Sequence, residues 1–256
     1  MIKAVLLDMD NTLLATQELF EEAHGKLAAF LKKTSGTPES DTLVTVRRFE
    51  VELFSSFGYG TGMLPQAFEN TLLSYHPRAA LADIAAVRAM ADEVYTREAK
   101  VIPGVEAALR GMAAHLPLYI VTAGEQAVQQ RRIDAMPFKD VFTETFAVPE
   151  KTSATYTAML RRLGLAPHEV VMIGDSLKSD IIPATEAGLI AIHIPHMNWF
   201  GREMAGLAMP ENKGAMSCKT MAEAARAVIT GATAAPAPPA FAWPKPPFAY
   251  RPPAAA

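Results

Sequence analysis

Ala4-Val5-Leu6-Leu7-Asp8-Met9-Asp10-Asn11-Thr12-Leu13 begins with four apolar residues and then places two carboxylates two positions apart. An uninterrupted apolar run of this length suits a strand buried on both faces, as in a parallel sheet. Side chains alternate along a strand, so Asp8 and Asp10 are expected on one face at its carboxyl end. Two like charges that close repel, and they are tolerated with a cation, a proton or a basic neighbour. Such a pair can divide labour, one carboxylate attacking in its ionised form while the other carries a proton. The plainer alternative is a solvated acidic turn.

Further strands are expected at 118–122, 142–148, 170–174 and 189–194, with the first at 2–7. All are short apolar or β-branched runs. Helical patterns lie between them. Glu106 to Ala114 follows Pro103-Gly104, with Val105, Leu109 and Met112 at helical spacing. Thr152 to Leu163 carries Tyr156, Met159, Leu160 and Leu163 on one side and stops at Gly164, a suitable C-cap. Asp180 to Ala187 stops at Gly188 in the same way. Alternating strands and helices imply an open parallel α/β sheet, with ligands bound off the carboxyl ends of its strands. Asp8, Asp10, Thr122 and Asp175 all fall at those ends.

Residues 15–98 differ. Leu19, Ala23, Leu27 and Phe30 form one apolar stripe, Val44, Phe49, Leu53 and Phe54 another, and Leu81, Ile84, Ala85, Val87 and Val94 further ones. No buried strand interrupts them, so this stretch reads as a helical insert between the first strand and the rest of the sheet. The expected division is 1–14 with 99–230 as the α/β core, 15–98 as the insert, and 231–256 as a Pro/Ala-rich flexible tail. The tail carries Pro236, Pro238, Pro239, Pro244, Pro246, Pro247, Pro252 and Pro253, which exclude a helix or central strand. Its aromatics Phe241, Trp243, Phe248 and Tyr250 leave docking open as an alternative.

Three signals follow the Asp-x-Asp pair. Leu118-Tyr119-Ile120-Val121-Thr122-Ala123-Gly124 is an apolar run that stops at a hydroxyl. Val148-Pro149-Glu150-Lys151 places a lysine before an amphipathic stretch. Val170-Val171-Met172-Ile173-Gly174-Asp175-Ser176 ends a buried strand in Gly-Asp-Ser, with Asp180 five residues beyond Asp175. These four motifs, in this order over residues 8–180, resemble those of the haloacid dehalogenase superfamily of hydrolases. Ile102-Pro103-Gly104-Val105 is similar to the segment that returns the chain from an inserted cap to the core in that superfamily. The resemblance implies a Rossmann-like core and a helical cap over the active site.

It also implies roles. Asp8 would be the nucleophile, forming an aspartyl-phosphate. Asp10 would protonate the leaving oxygen and then deprotonate water. The dehalogenases that named the superfamily lack this acid, so Asp10 argues for phosphoryl transfer. Thr122 and the N–H of Ala123 would bind the phosphoryl oxygens, and Lys151 would neutralise charge between nucleophile and phosphate. Mg²⁺ would be held by Asp8, Asp175 and the backbone carbonyl of Asp10. Asp180 would either hold a metal-bound water or cap the following helix, and Ser176 has the same two options. Lys139 and Lys178 are weaker candidates for the duty of Lys151.

Composition bounds the alternatives. Of 256 residues half are hydrophobic, so a sizeable core is available, and a net charge of −3 gives no electrostatic case for nucleic acid or an anionic membrane. Cys218 is the only cysteine, which rules out an intrachain disulfide and suits packing. No apolar run approaches a membrane span, and Asp8 and Asp10 interrupt anything like a signal peptide, so a cytoplasmic protein is expected. Gly58-Tyr59-Gly60-Thr61-Gly62 reads as a loop between insert helices, with a substrate-facing role as the alternative. His193 and His196 straddle Pro195 and make a poor metal pair. Arg47-Arg48, Arg131-Arg132 and Arg161-Arg162 read as solvated helix faces, with Arg47 or Arg48 reaching a substrate anion as the alternative.

The leading expectation is therefore a Mg²⁺-dependent phosphatase of a small phosphorylated metabolite. A phosphomutase shares the same nucleophile chemistry. A catalytically silent binder, a dehalogenase and a phospho-receiver domain are disfavoured, the last because its domain is about half this length. Oligomeric state is open.

Overall fold

The computed structural model describes residues 1–196, 209–210 and 214–231. The prolines and aromatics of the tail lie outside these residues.

Six parallel strands form one sheet: β1 (Ala4–Leu7), β2 (Leu118–Ala123), β3 (Phe142–Val148), β4 (Val170–Gly174), β5 (Ile190–His193) and β6 (Ala215–Ser217). Their order is β3-β2-β1-β4-β5-β6. β1 is central, with Leu6 beside Tyr119 of β2 and beside Met172 of β4. The winding reverses at β1, which opens a crevice beyond the carboxyl ends of β1, β2 and β4.

Strand alternation divides the core. Val5, Leu7, Ile120 and Ile173 pack on one face against α5 (Val105–Ala113) and α9 (Met221–Thr230). Ala4, Leu6, Val121 and Met172 pack on the other against α7 (Ser153–Leu163) and α8 (Ile182–Glu186). α6 (Gln126–Ala135) links β2 to β3. Thr152 caps α7 by accepting from the N–H of Thr155, and Gly164 ends it at φ +65°.

Several elements depart from the expectation. The helix expected over 180–187 is a π-type turn, Leu177–Ile181, followed by α8. β6 and α9 were not anticipated. β6 has only three residues, Ala-Met-Ser, and no β-branched run to mark it. α9 is bounded by the Thr220 cap, which accepts from the N–H of Glu223, and by Gly231 at φ +72°.

Between β1 and β2 stand α1 (Thr16–Ser35), α2 (Glu39–Phe57), α3 (Met63–Tyr75) and α4 (Leu81–Thr96). They share a hydrophobic cluster of their own that includes Leu27, Leu31, Leu64, Phe68 and Val87. Two stripes are corrected here. Val44 and Leu81 are exposed, at 45% and 84%, and Ala85 is exposed too. The buried face of α2 runs instead through Thr42, Val46 and Glu50. Phe49 and Leu53 of the expected stripe pack beside this face against the insert core, but two of its three buried residues are polar, so apolar periodicity marks only part of it.

The chain leaves and re-enters the core at one place. Leu14 forms an antiparallel bridge with Val101. The Ala15 N–H donates to Lys100 O (2.8 Å) and the Ile102 N–H to Leu13 O (2.9 Å). No helix among the described residues is long and apolar enough to cross a membrane.

Candidate active site

β1 stops at Leu7, but the Asp8 N–H still donates to Ile173 O at 2.9 Å, so Asp8 stays in line with the sheet. The chain then turns through Asn11, whose φ of +62° is left-handed, and Asp10 pairs with Leu14 in an isolated bridge. Asp8 and Asp10 both line the cleft above the strand ends. This tight turn joins strand alternation in bringing them there. Asn11 also accepts from the Gln17 N–H (2.8 Å) and the Thr16 hydroxyl (3.1 Å), which ties the start of α1 to the site.

Asp8 is 5% exposed. One carboxylate oxygen accepts from the Thr12 hydroxyl at 2.8 Å, and the other from the Lys151 ammonium. Lys151 also donates to Asp180 at 2.6 Å. The second Asp180 oxygen accepts from the Ser176 N–H at 3.0 Å, and Ser176 Oγ accepts from the Ser179 N–H at 3.1 Å. Ser176 thus caps the π-type turn, while Asp180 both caps it and holds Lys151. Tyr156, buried beneath, donates its hydroxyl to Ser179 O at 3.0 Å.

Asp8, Asp175 and Asp180 each bring an oxygen within 4.8 Å of the others. With only Lys151 among them, this crowding is costly. Burial, reinforced by Asp180 and Asp10 against the pull of Lys151, pushes Asp8 up to about 7. Burial and the charge of Asp8 push Asp175 well above the usual carboxylate range. Burial works against a charged Lys151, but the carboxylates of Asp180 and Asp8 overcome it and hold Lys151 well above the usual lysine range. A donor set of hard oxygens with surplus negative charge fits a divalent cation such as Mg²⁺.

Asp10 has a separate pair of partners. Arg132 Nη1 donates to it at 2.9 Å and Gln129 Nε2 at 3.1 Å. Both come from α6, three residues apart on one helix face. Arg132 is 8% exposed, which overturns the reading of Arg131-Arg132 as a solvated face. The residues that α6 buries are Val128, Gln129, Arg132 and Ile133, a half-polar face that hydrophobic periodicity does not reveal.

Thr122 is buried at the end of β2 and its hydroxyl has no hydrogen-bond partner. Ala123 follows it into the cleft. Lys178 lines the cleft, with its ammonium 5.0 Å from the Phe54 ring centroid. Lys139 does not line it and donates to Asp134 O instead. Arg47 pairs with Glu21 and Arg48 with Glu52, and neither lines the cleft. Arg162 pairs with Glu144 at the surface. His193 is spent on a hydrogen bond with Asp175 O at 2.8 Å, which supports the strand end beneath the site.

The helical insert roofs the cleft. Gly58, Tyr59, Gly60 and Thr61 of the loop between α2 and α3 line it. The Thr61 N–H and hydroxyl donate to Glu125 Oε1 at 2.7 and 2.8 Å, and Tyr59 bonds Ser179 at 3.0 Å. Arg131 and Arg132 donate to Tyr95 O (2.8 Å) and Val94 O (3.3 Å) of α4. His24 and Glu50, buried and 2.6 Å apart, also line the cleft from the insert. Neither stood out in the sequence: the one His of α1 and one of the three Glu residues of α2 look like ordinary helix residues. The cleft is partly open and its volume is about 190 Å³, below the roughly 300–1,000 Å³ of sites for drug-sized ligands.

Residues 2–188 match a family model described as haloacid dehalogenase-like hydrolase. Glyceraldehyde 3-phosphate phosphatase of Methanopyrus kandleri is 28% identical over 204 residues, covering 76% of this chain and 84% of that protein. A haloacid dehalogenase-like family hydrolase from Xanthomonas campestris superposes with a TM-score of 0.73 at 22% identity, covering 90% of this chain and 91% of that one. L-2-haloacid dehalogenase from Xanthobacter autotrophicus gives a TM-score of 0.61 at 17% identity, covering 90% and 99%. The two structural likenesses are likenesses of fold.

Proposed function

The chain belongs to the haloacid dehalogenase-like hydrolases, and on that premise we propose that it is a Mg²⁺-dependent phosphatase of a small phosphate monoester. The observation that carries this reading is the pair of carboxylates in one cleft with different partners. Asp8 is braced by Lys151 and Thr12, as an attacking group must be, and Asp10 stands beside it as a second carboxylate able to carry a proton. The Methanopyrus relative, itself a phosphatase by name, supports phosphate ester over carbon–halogen chemistry.

Asp8 attacks phosphorus and the ester oxygen departs with the proton of Asp10, leaving an aspartyl-phosphate. Asp10, now ionised, takes a proton from water as the water oxygen attacks phosphorus. The Asp8–phosphorus bond breaks, phosphate leaves and both carboxylates are restored. The Thr122 hydroxyl, buried and unpaired, donates to a phosphoryl oxygen, and the Ala123 N–H assists. Lys151 stays charged through the cycle and spreads the charge that develops between Asp8 and the phosphoryl group.

Asp8, Asp175 and the Asp10 carbonyl would hold the cation, with Asp180 completing the acidic set from its place beside Lys151. When bound, Mg²⁺ offsets the repulsion between a phosphate dianion and these carboxylates. The helical insert acts as a cap that limits bulk water at the phosphoryl group and favours a small substrate.

The test is hydrolysis of p-nitrophenyl phosphate by wild type and Asp8→Asn, with Mg²⁺ and with EDTA. Release that needs both Asp8 and the metal is the expected result. A folded wild type that neither hydrolyses this ester nor accumulates phosphoryl-Asp8 would sink the reading.

A further inference from the structure

The Asp10 side chain is 26% exposed, so packing alone does not fix its carboxylate. Two side chains of α6 do. Arg132 Nη1 donates to Asp10 Oδ1 at 2.9 Å and Gln129 Nε2 to Oδ2 at 3.1 Å. One donor on each oxygen sets the plane of the group as well as its place.

Each of these donors is anchored elsewhere. Arg132 Nη2 donates to Val94 O at 3.3 Å, and the neighbouring Arg131 donates to Tyr95 O at 2.8 Å. Both carbonyls lie in the last turn of α4, where partners within the helix run out and α4 has no basic residue of its own. α6 thus closes the end of α4 with two guanidinium groups, and Arg132 goes on from there to Asp10. Gln129 is anchored at the turn after β2, where Nε2 also donates to Ala123 O at 2.7 Å. Two acceptors on one nitrogen fix the orientation of the amide. This passage needs a glycine at 124, because an added β-carbon would lie 2.7 Å from Gln129 Nε2.

Stability does not account for this face of α6. Arg132 Nε and Gln129 Oε1 are buried without hydrogen-bond partners, and a buried polar atom left unpaired is costly. Two apolar side chains would pack the helix without that cost. What Arg132 and Gln129 provide instead is a pair of donors converging on one carboxylate.

We infer that Gln129 and Arg132 are positioning residues, which hold Asp10 where its proton can pass to the ester oxygen as the bond from that oxygen to phosphorus breaks. This rests on the phosphatase reading and goes beyond it by giving α6 a part in the proton transfer. A misplacement of about 1 Å can cost roughly a hundredfold in rate, and a half-exposed carboxylate turns away once a donor is lost.

The test uses the full chain with Mg²⁺ and two esters built on the same ring. Phenyl phosphate has a leaving oxygen that needs a proton, whereas p-nitrophenolate departs as the anion. Single-turnover release of the phenol or nitrophenol reads the first step alone. Arg132→Met and Gln129→Met are each expected to slow that step by about tenfold or more on phenyl phosphate and by less than about threefold on the nitrophenyl ester. In an Asp10→Asn background the same substitutions are expected to change the phenyl phosphate rate by less than about threefold, because the group they position is gone. Arg131→Met, which loosens α4 without touching Asp10, is expected to act on both esters alike. A selective loss there would move the effect to the docking of α4 and overturn the assignment. Equal loss on the two esters in Arg132→Met and Gln129→Met, an undiminished phenyl phosphate rate, or losses that multiply in the Asp10→Asn background would each overturn the inference while leaving the phosphatase reading intact. A wild type that cleaves the nitrophenyl ester alone has no working acid to position, which overturns it too. A wild type inert towards both esters overturns the phosphatase reading and this inference with it. Should Arg132→Met fail to fold, Gln129→Met decides alone.

Discussion

Asp180 occupies the space where a side chain at position 174 would begin. A β-carbon added to Gly174 would lie 2.6 Å from the Asp180 β-carbon and nearer still to its carboxylate. Gly174 is glycine because the end of β4 must pass directly beside the group that holds Lys151, and its backbone conformation places no demand of its own. Gly174→Ala is expected to displace Asp180, cost about 1–3 kcal/mol of stability as overpacking does, and lower turnover. Denaturant midpoints and steady-state rates measure the two effects; a variant matching wild type in both would refute the packing argument.

Asp8→Asn is expected to abolish turnover while the fold persists. The amide cannot form the acyl-phosphate, yet it keeps the size of the side chain and an oxygen for Lys151, while its NH2 can donate to the Thr12 hydroxyl, which turns to accept. Phosphate release and a thermal melt on the same sample check this, and wild-type activity would remove Asp8 from the nucleophile's place.

Asp10→Asn should cost about 10²–10⁴ in rate on alkyl phosphates, the range of general acid–base catalysis. p-Nitrophenolate leaves without a proton, so the first step should suffer much less on the aryl ester. Comparing burst and steady-state rates on the two esters exposes the difference. Equal loss in the first step on both would deny Asp10 the role of acid.

Chelation by EDTA should stop turnover, and added Mg²⁺ should restore it. Because Asp8, Asp175 and Asp180 crowd within 4.8 Å of one another, the ion should also stabilise the fold, raising Tm with concentration as a ligand specific to the native state does. A Tm indifferent to Mg²⁺ would argue against this cluster as its site.

Cys218 is buried, and burial pushes its thiol up to about 11. At pH 8 the thiolate is then roughly one part in a thousand of the total. Native protein should alkylate slowly with iodoacetamide and quickly once unfolded, as mass spectrometry would show. Fast native labelling would contradict its burial.

The core of the fold was legible in the sequence because its signals are local. β1, β2 and β4 are unbroken apolar runs, and each ends in a residue that lines the cleft: Asp8, Thr122 and Asp175. The residues that escaped are polar ones whose burial depends on distant partners. Arg132 looks solvated until Asp10, 122 positions away, is placed against it. Glu50 looks like a surface residue of α2 until His24 meets it across the insert. Hydrophobic periodicity measures which face is apolar, and in α2 and α6 the inward face is partly polar. β6 escaped for a different reason: three small or unbranched residues carry no strand signal.

The bridge between Leu14 and Val101 closes the chain on itself before the sheet resumes. The insert therefore hangs from a neck in which entry and exit lie side by side, and the core strands bear none of its length. Closing a loop costs entropy that grows only with the logarithm of its length. A neck of this kind lets the roof be enlarged, shortened or exchanged while the floor, with Asp8 six residues before Leu14, stays in register. Under the proposed function, this neck would let the roof that meets the substrate vary while the floor that holds Asp8 keeps its register.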